Sequence, residues 1–246
     1  MTSDSNTNNP DREANMDTTG SGSDENTTKI DSDVLSAAVR AIKSGELVVY
    51  PTETVYGLGV DALNPDAIKR VFDTKGRTYD NPLSLAVESV SAVARHTNPS
   101  ERAMQFIKAF LPGPVTVIVE CSTAVPDILT AGRDRVGIRI PDHHVALSLL
   151  ERAAPTPITA TSANQSGTGS IVDTNMLAQS IQQNVAVVLE AGETTGTEST
   201  VVDPTRNVIH RRGAMADAVI AWLSDVSGTV IAWLSDVSGT RPTIES

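Results

Sequence analysis

The chain has 246 residues, 39% of them hydrophobic and 20% charged, with one cysteine and a formal charge of −11. No apolar run approaches the ~18–20 residues of a membrane span and no apolar stretch opens the chain, so no membrane anchor or secretory signal is readable and the expected location is cytoplasmic. Cys121 alone cannot close an internal disulfide, no C-x-x-C occurs, and His96, His143, His144 and His210 lack metal-ligand spacing, so no metal site is expected.

Residues 1–29 are Ser, Thr, Asn, Asp and Gly with almost nothing apolar, and they read as a disordered acidic tail. From Ile30 the pattern changes. Val34, Leu35, Ala38, Val39 and Ile42 recur at helical spacing behind Asp31 and Ser32, with Gly45 as a stop. Leu47–Tyr50 predicts a short buried strand ended by Pro51, and Asn64-Pro65 predicts an N-cap and first helical residue of a helix running to about Asp73. A strand follows at Leu83–Val87, then a helix over Glu101–Phe110 and a β-branched strand at Val115–Val119. Further strands are expected at 136–140, 157–160, 185–189, 200–202 and 207–210, with helices near 143–152, 174–183 and 215–226. The alternation predicts one α/β domain of about 210 residues with a mixed sheet.

The C-terminus holds a tandem copy: V-I-A-W-L-S-D-V-S-G-T occupies 219–229 and again 230–240. Two copies do not make a solenoid. One copy has the apolar face of a helix ended by Gly228, and the second, in the 219–246 tail, reads as a dispensable duplicate. The acidity is shared by tail and body. Asp outnumbers Glu 18 to 12 and Arg outnumbers Lys 14 to 5, a halophile-like surface that repels nucleic acid at long range.

The fingerprints of P-loop, Rossmann and α/β-hydrolase sites are absent from the sequence. Four other segments carry polar groups beside strands. In Y-P-T-E-T-V-Y-G-L-G (50–59), hydroxyls and a carboxylate follow a strand and Gly57 and Gly59 permit close backbone approach; an ordinary Pro-Thr turn is the alternative. Lys75-Gly76-Arg77, in an extended loop, would aim two cations at one anion, with Asn81-Pro82-Leu83 behind; the alternative is a solvated basic turn. The hydroxyl- and glycine-rich run 159–170 could present donors to a phosphate or nucleobase, or be a flexible loop. Arg133, Arg135, Arg139, Arg211 and Arg212 form a weaker grouping beside Glu198-Ser199-Thr200. His143-His144 reads as the solvent-side start of a helix. Cations beside loops in an acidic protein point to anion binding.

Taken in order, Y-P-T-E-T-V-Y-G-L-G, K-G-R with N-P-L, P-G-P-V-T-V-I, V-G-I-R-I-P-D-H, T-S-A-N-Q-S-G, S-T-V-V-D and R-R-G-A resemble the YrdC-like threonylcarbamoyl-AMP synthase family from about residue 31 to 215. The resemblance implies a single domain, 30–218, with a twisted, mostly open sheet of parallel and antiparallel strands, flanking helices and a concave ligand cleft. It implies the reaction of L-threonine, bicarbonate and ATP to threonylcarbamoyl-AMP and pyrophosphate, with magnesium carried by ATP. The product would pass to a downstream threonylcarbamoyl transferase complex that modifies tRNA, with at most a weak direct tRNA contact. Lys75 and Arg77 would polarise the triphosphate as catalytic groups, with Asn81, Arg135, Ser162, Asn164, Ser170 and Arg211 also on ATP. Thr52 or Thr54, Arg139, Ala160 and Ser199 would hold L-threonine. The chain departs from the family pattern at Thr78, where proline is usual, at Thr161, where P-S-A-N is usual, and at Ala86, where some members carry a histidine. The alternative of another class is a tRNA- or double-stranded-RNA-binding module of the same fold without synthase activity.

Overall fold

In a computed structural model, which describes residues 30–227 and 232–233, Asp31 opens the first helix by accepting the Asp33 amide at 2.7 Å. Helix α1 (Ser32–Lys43) buries Leu35, Ala38, Ala41 and Ile42 along one stripe. The expected tail, 1–29, and nearly all of the second repeat copy lie outside the described residues. Strand β1 (Leu47–Tyr50) turns through the T-E-T loop into β2 (Gly57–Gly59), its antiparallel neighbour. Helix α2 (Pro65–Lys75) is capped by Asn64, which accepts the Asp66 and Ala67 amides, and closes on Gly76 at φ 59°. Then come β3 (Ser84–Ala86), α3 (Val90–His96), α4 (Glu101–Phe110), β4 (Val115–Glu120), α5 (Asp127–Thr130) and β5 (Arg135–Arg139). The second half adds α6 (His144–Ala153), β6 (Ile158–Ser162), α7 (Gln179–Gln182), β7 (Val185–Val188), β8 (Thr200–Asp203), β9 (Val208–Arg211), α8 (Ala216–Ser227) and β10 (Ala232–Trp233).

The strands form one sheet in the order β10-β9-β8-β4-β5-β3-β6-β2-β1-β7. Pairs β1–β7, β3–β5, β4–β8 and β9–β10 are parallel, and the other five are antiparallel. Alternation along each strand sorts the faces. Leu47, Val49, Leu85, Val115, Val117, Val136, Ile138 and Val202 enter the larger core with α2, α4 and α8. Val48, Tyr50, Ala86 and Ile158 face the other way, where α1 and α6 cover them. Those two helices cover only one end of their face. The remainder, carrying Ser84, Ile118, Arg135, Gly137, Arg139, Ser162 and Asp203, is the floor of a cleft.

Three expectations change. The helix expected at 174–183 is a 3-10 turn, Thr174–Met176, followed by the short α7, because Leu177 takes an extended conformation that buries it. Y-G-L-G forms a strand. Its glycines make room for neighbouring side chains: a Cβ on Gly57 would lie 2.8 Å from the Tyr50 ring, and one on Gly59 2.4 Å from Ile158. Helices α3 and α5 are too short for a periodic signal. At the C-terminus, α8 belongs to the main core, with Val219 and Leu223 fully buried and Trp222 edge-on to Phe106 at 4.9 Å.

His143 caps α6 through Nδ1, which accepts the Val145 amide at 3.2 Å. Burial, and then the neighbouring charge of His144, lowers its pKa to about 4. The unfolded imidazole titrates near 6.5, so the stability held by the neutral ring is complete above that pH and lost as pH falls to about 4. Because the ring is partly open to solvent, the expected loss is about 1 kcal/mol. His143→Asn keeps a cap acceptor without titrating. Its melting temperature should therefore fall less than that of the parent between pH 6.5 and 4; parallel curves would refute the assignment.

Candidate functional site

The cleft has a volume of about 870 Å³. Of the residues singled out in the sequence, Thr52, Arg77, Asn81, Arg135, Arg139, Ala160, Ser162, Ser199 and Arg211 line it together. Lys75, Thr54, Asn164 and Ser170 are bonded to wall residues without lining the cleft themselves. Six arginines and four carboxylates make its wall locally cationic on an acidic protein.

Lys75 is the last residue of α2, and Gly76 turns the chain in the left-handed region. The extended K-x-R expected from the sequence is therefore a helix C-cap, and the two cations diverge. Lys75 is 2% exposed, and its Nζ donates to the carbonyls of Ser162 and Asn164, the latter at 2.5 Å. Burial, and then the charge of Arg77, lowers its pKa to about 8. The ammonium thereby ties α2 to the end of β6, where Ser162 Oγ donates to Asn164 Oδ1. Arg77 donates through Nε to the Asn81 carbonyl at 2.9 Å, and through Nη2 to Asn81 Oδ1 at 2.6 Å and the Pro82 carbonyl at 2.9 Å. Its guanidinium is thus locked before any ligand arrives. Burial and then the charge of Arg211 lower its pKa.

Arg135, Gly137 and Arg139 are alternate residues of β5, so they share the cleft face. Bare backbone at Gly137 separates the two guanidinium groups; a Cβ there would lie 2.4 Å from Ser84 Oγ. Arg135 pairs with the buried Asp203 at 2.9 Å. Arg139 Nη2 donates to Thr54 Oγ1 at 2.5 Å and to Glu53 Oε1 at 3.1 Å, while Thr52 and Thr54 share a hydrogen bond of 2.8 Å. Arg135 Nε, Arg139 Nε and Glu53 Oε2 are buried polar atoms with no hydrogen-bond partner, which costs free energy.

At the opposite wall, Arg211 donates through Nε to the Ser199 carbonyl at 3.1 Å and through Nη2 to Ser199 Oγ at 3.0 Å, and Ser199 bonds Thr116 at 2.9 Å. Arg211 Nη1 lies 2.5 Å from Glu198 Oε2, and Ser170 Oγ donates to Glu198 Oε1. Sequence reasoning gave no role to Tyr50, Glu53, Asp203, Arg206, His210 or Glu198. Tyr50, Glu53, Asp203 and Glu198 lie in or beside the quoted motifs and Arg206 and His210 outside them, and only the non-local strand pairing shows which of them meet the cleft. Among the described residues no three His, Cys, Asp or Glu side chains converge as a metal site, and no helix is long and apolar enough to cross a membrane.

Fold and cleft define an α/β protein with an open mixed sheet and a preformed, arginine-lined cleft. The Sua5/YciO/YrdC family model, whose description reads telomere recombination, matches residues 40–213. The chain belongs to this family. It is 42% identical over 168 residues to the threonylcarbamoyl-AMP synthase of Pyrococcus abyssi, covering 67% of this chain and 48% of that one. It is 40% identical over 171 residues to the enzyme of the same name from Bacillus subtilis, covering 68% and 49%. The crystal structure of P. abyssi Sua5 complexed with L-threonine superposes with a TM-score of 0.73 at 38% identity, covering 78% of this chain and 58% of that one. The chain spans about half the length of the curated relatives it matches.

Proposed function

We propose that the cleft makes threonylcarbamoyl-AMP from L-threonine, bicarbonate and ATP, releasing pyrophosphate. The observation that carries this reading is the pairing of two separate anion-binding sets on one cleft floor. Arg139, with Thr52 and Thr54, suits an amino-acid carboxylate, with Ala160 and Ser199 completing that pocket. Arg77, Asn81, Ser162 and Arg211, supported by Lys75, Asn164 and Ser170, suit a polyphosphate. Arg135 extends this set along β5. The similarity to two enzymes named threonylcarbamoyl-AMP synthase supports the choice of reaction.

In this reaction the amine of threonine and bicarbonate form an N-carboxylate and water. A carboxylate oxygen then attacks the α-phosphorus, the bond to the β-phosphate bridging oxygen breaks, and pyrophosphate leaves with that electron pair. Such in-line displacement needs positioning and charge neutralisation more than a protein nucleophile. The prelocked Arg77 and the buried Lys75 meet that need at little ordering cost. Magnesium would be carried by the ATP phosphates: two carboxylates of the cleft, Glu198 and Asp203, are already paired with Arg211 and Arg135, and no step is assigned to a protein-held metal. The adenylate is a labile acyl donor from which a downstream transferase would move the threonylcarbamoyl group to tRNA, with AMP as the leaving group.

The test is pyrophosphate release with threonine and bicarbonate omitted in turn. Release that needs both supports the synthase. Retention of tRNA or double-stranded RNA without turnover would replace it with the RNA-binding reading.

A further inference from the structure

Glu198 lines the cleft and holds two of the donors assigned above to nucleotide. Its Oε1 accepts from Ser170 Oγ, and its Oε2 lies 2.5 Å from Arg211 Nη1. Arg211 does not need this acid for its orientation. Its Nε and Nη2 are already bound to the carbonyl and hydroxyl of Ser199, itself held by Thr116. Its Nη1 faces the cleft-lining carboxylate of Glu198. Ser170 offers one hydroxyl proton, which cannot serve a carboxylate and a phosphate at once.

We infer that Glu198 is an internal stand-in for a nucleotide phosphate, and that it sets nucleotide affinity by competing for Ser170 and Arg211. This rests on the nucleotide site proposed above. A carboxylate and a phosphate oxygen are both anionic acceptors, so the incoming group must displace Glu198 from the two donors. In the empty cleft the acid keeps a cation and a hydroxyl satisfied. On binding it becomes the cost against which ATP is held, which keeps release of a polyphosphate product from being slowed by an unopposed cationic wall.

Equilibrium binding of ATP, pyrophosphate and adenosine to the 246-residue protein, measured by calorimetry, tests this in the parent, Glu198→Gln and Glu198→Asp. Gln keeps the shape without the charge, and should bind ATP and pyrophosphate about 10-fold more tightly, with adenosine unchanged. Asp is one methylene shorter and cannot span Ser170 and Arg211, so it should tighten binding by a smaller factor while providing a second variant should Gln fold poorly. Equal or weaker ATP binding by both variants would overturn the inference and make Glu198 a support for Arg211. Tightening that extends equally to adenosine would overturn it too. A parent that binds ATP while the variants bind it no better removes only this inference; a parent that binds no ATP removes the nucleotide site as well.

Discussion

Lys75→Met should lower threonine- and bicarbonate-dependent pyrophosphate release by at least about 30–150-fold, equivalent to about 2–3 kcal/mol of lost transition-state stabilisation. The same substitution should lower stability by about 2 kcal/mol, because the Ser162 and Asn164 carbonyls lose a buried donor. The parent protein supplies an independent check. Its Lys75, lowered to about 8 by burial, discharges well before an unfolded lysine near 10.4. Between these values the unfolded chain holds the proton and the folded one does not, so the contribution of Lys75 to stability rises with pH across the window while its charge on the site is lost. Turnover should therefore decline above about pH 8 without a matching fall in the melting temperature, and this decline should vanish in the residual activity of Lys75→Met. Parent-level release by the methionine variant would remove Lys75 from the reaction.

Gly213→Ala should be as damaging, by a different route. A Cβ there would lie 2.1 Å from the Glu198 carbonyl oxygen and 2.6 Å from the Ser199 carbonyl carbon. Neither is a flexible side-chain end. The segment that leads into β8 and carries Glu198, Ser199 and, through them, the anchorage of Arg211 must move, and the hydrogen bond from the Gly213 amide to Thr200 Oγ1 at 3.1 Å moves with it. Overpacking of this kind costs about 3 kcal/mol, or roughly 6–12 °C in melting temperature for a domain of this size. Thermal melts and initial rates check both parts; an alanine variant that melts and turns over like the parent would show that the backbone has room.

The residues differ in how much of this could be read without coordinates. Helix α2 was legible to its cap because Asn64 and Pro65 act locally, through amides two and three residues away. The cleft members on loops were legible as residue types, and the ordered motifs placed them in one family. Geometry was less so. Two residues apart, Lys75 and Arg77 invite an extended reading, yet Gly76 at φ 59° ends a helix and sends Lys75 inward to carbonyls nearly ninety residues along the chain. Gly57 and Gly59 give clearance to Tyr50 and Ile158, and Gly57 also lines the cleft. Arg135 and Arg139 share a face because the strand spans both, which periodicity permits but cannot assert until the strand boundaries are known. Glu198 was visible as a neighbour of Ser199 and carried no sign of its competition with phosphate, because Ser170 and Arg211 reach it from different parts of the fold.

The strand order has a consequence for how the protein is made. Strand β4 takes β8 as its parallel neighbour, pairing Val115 with Thr200, and β1 takes β7, pairing Val49 with Val188. Neither half of the chain contains a complete cleft: Thr52 and Arg77 lie in the first half, and Arg139, Ser199 and Arg211 in the second. Such distant pairings form slowly because a long loop must close before any contact rewards it. A growing chain on the ribosome therefore exposes its cationic floor without the wall that carries Ser199 and Arg211, and the cleft is complete only once residues up to 211 have left the exit tunnel and docked.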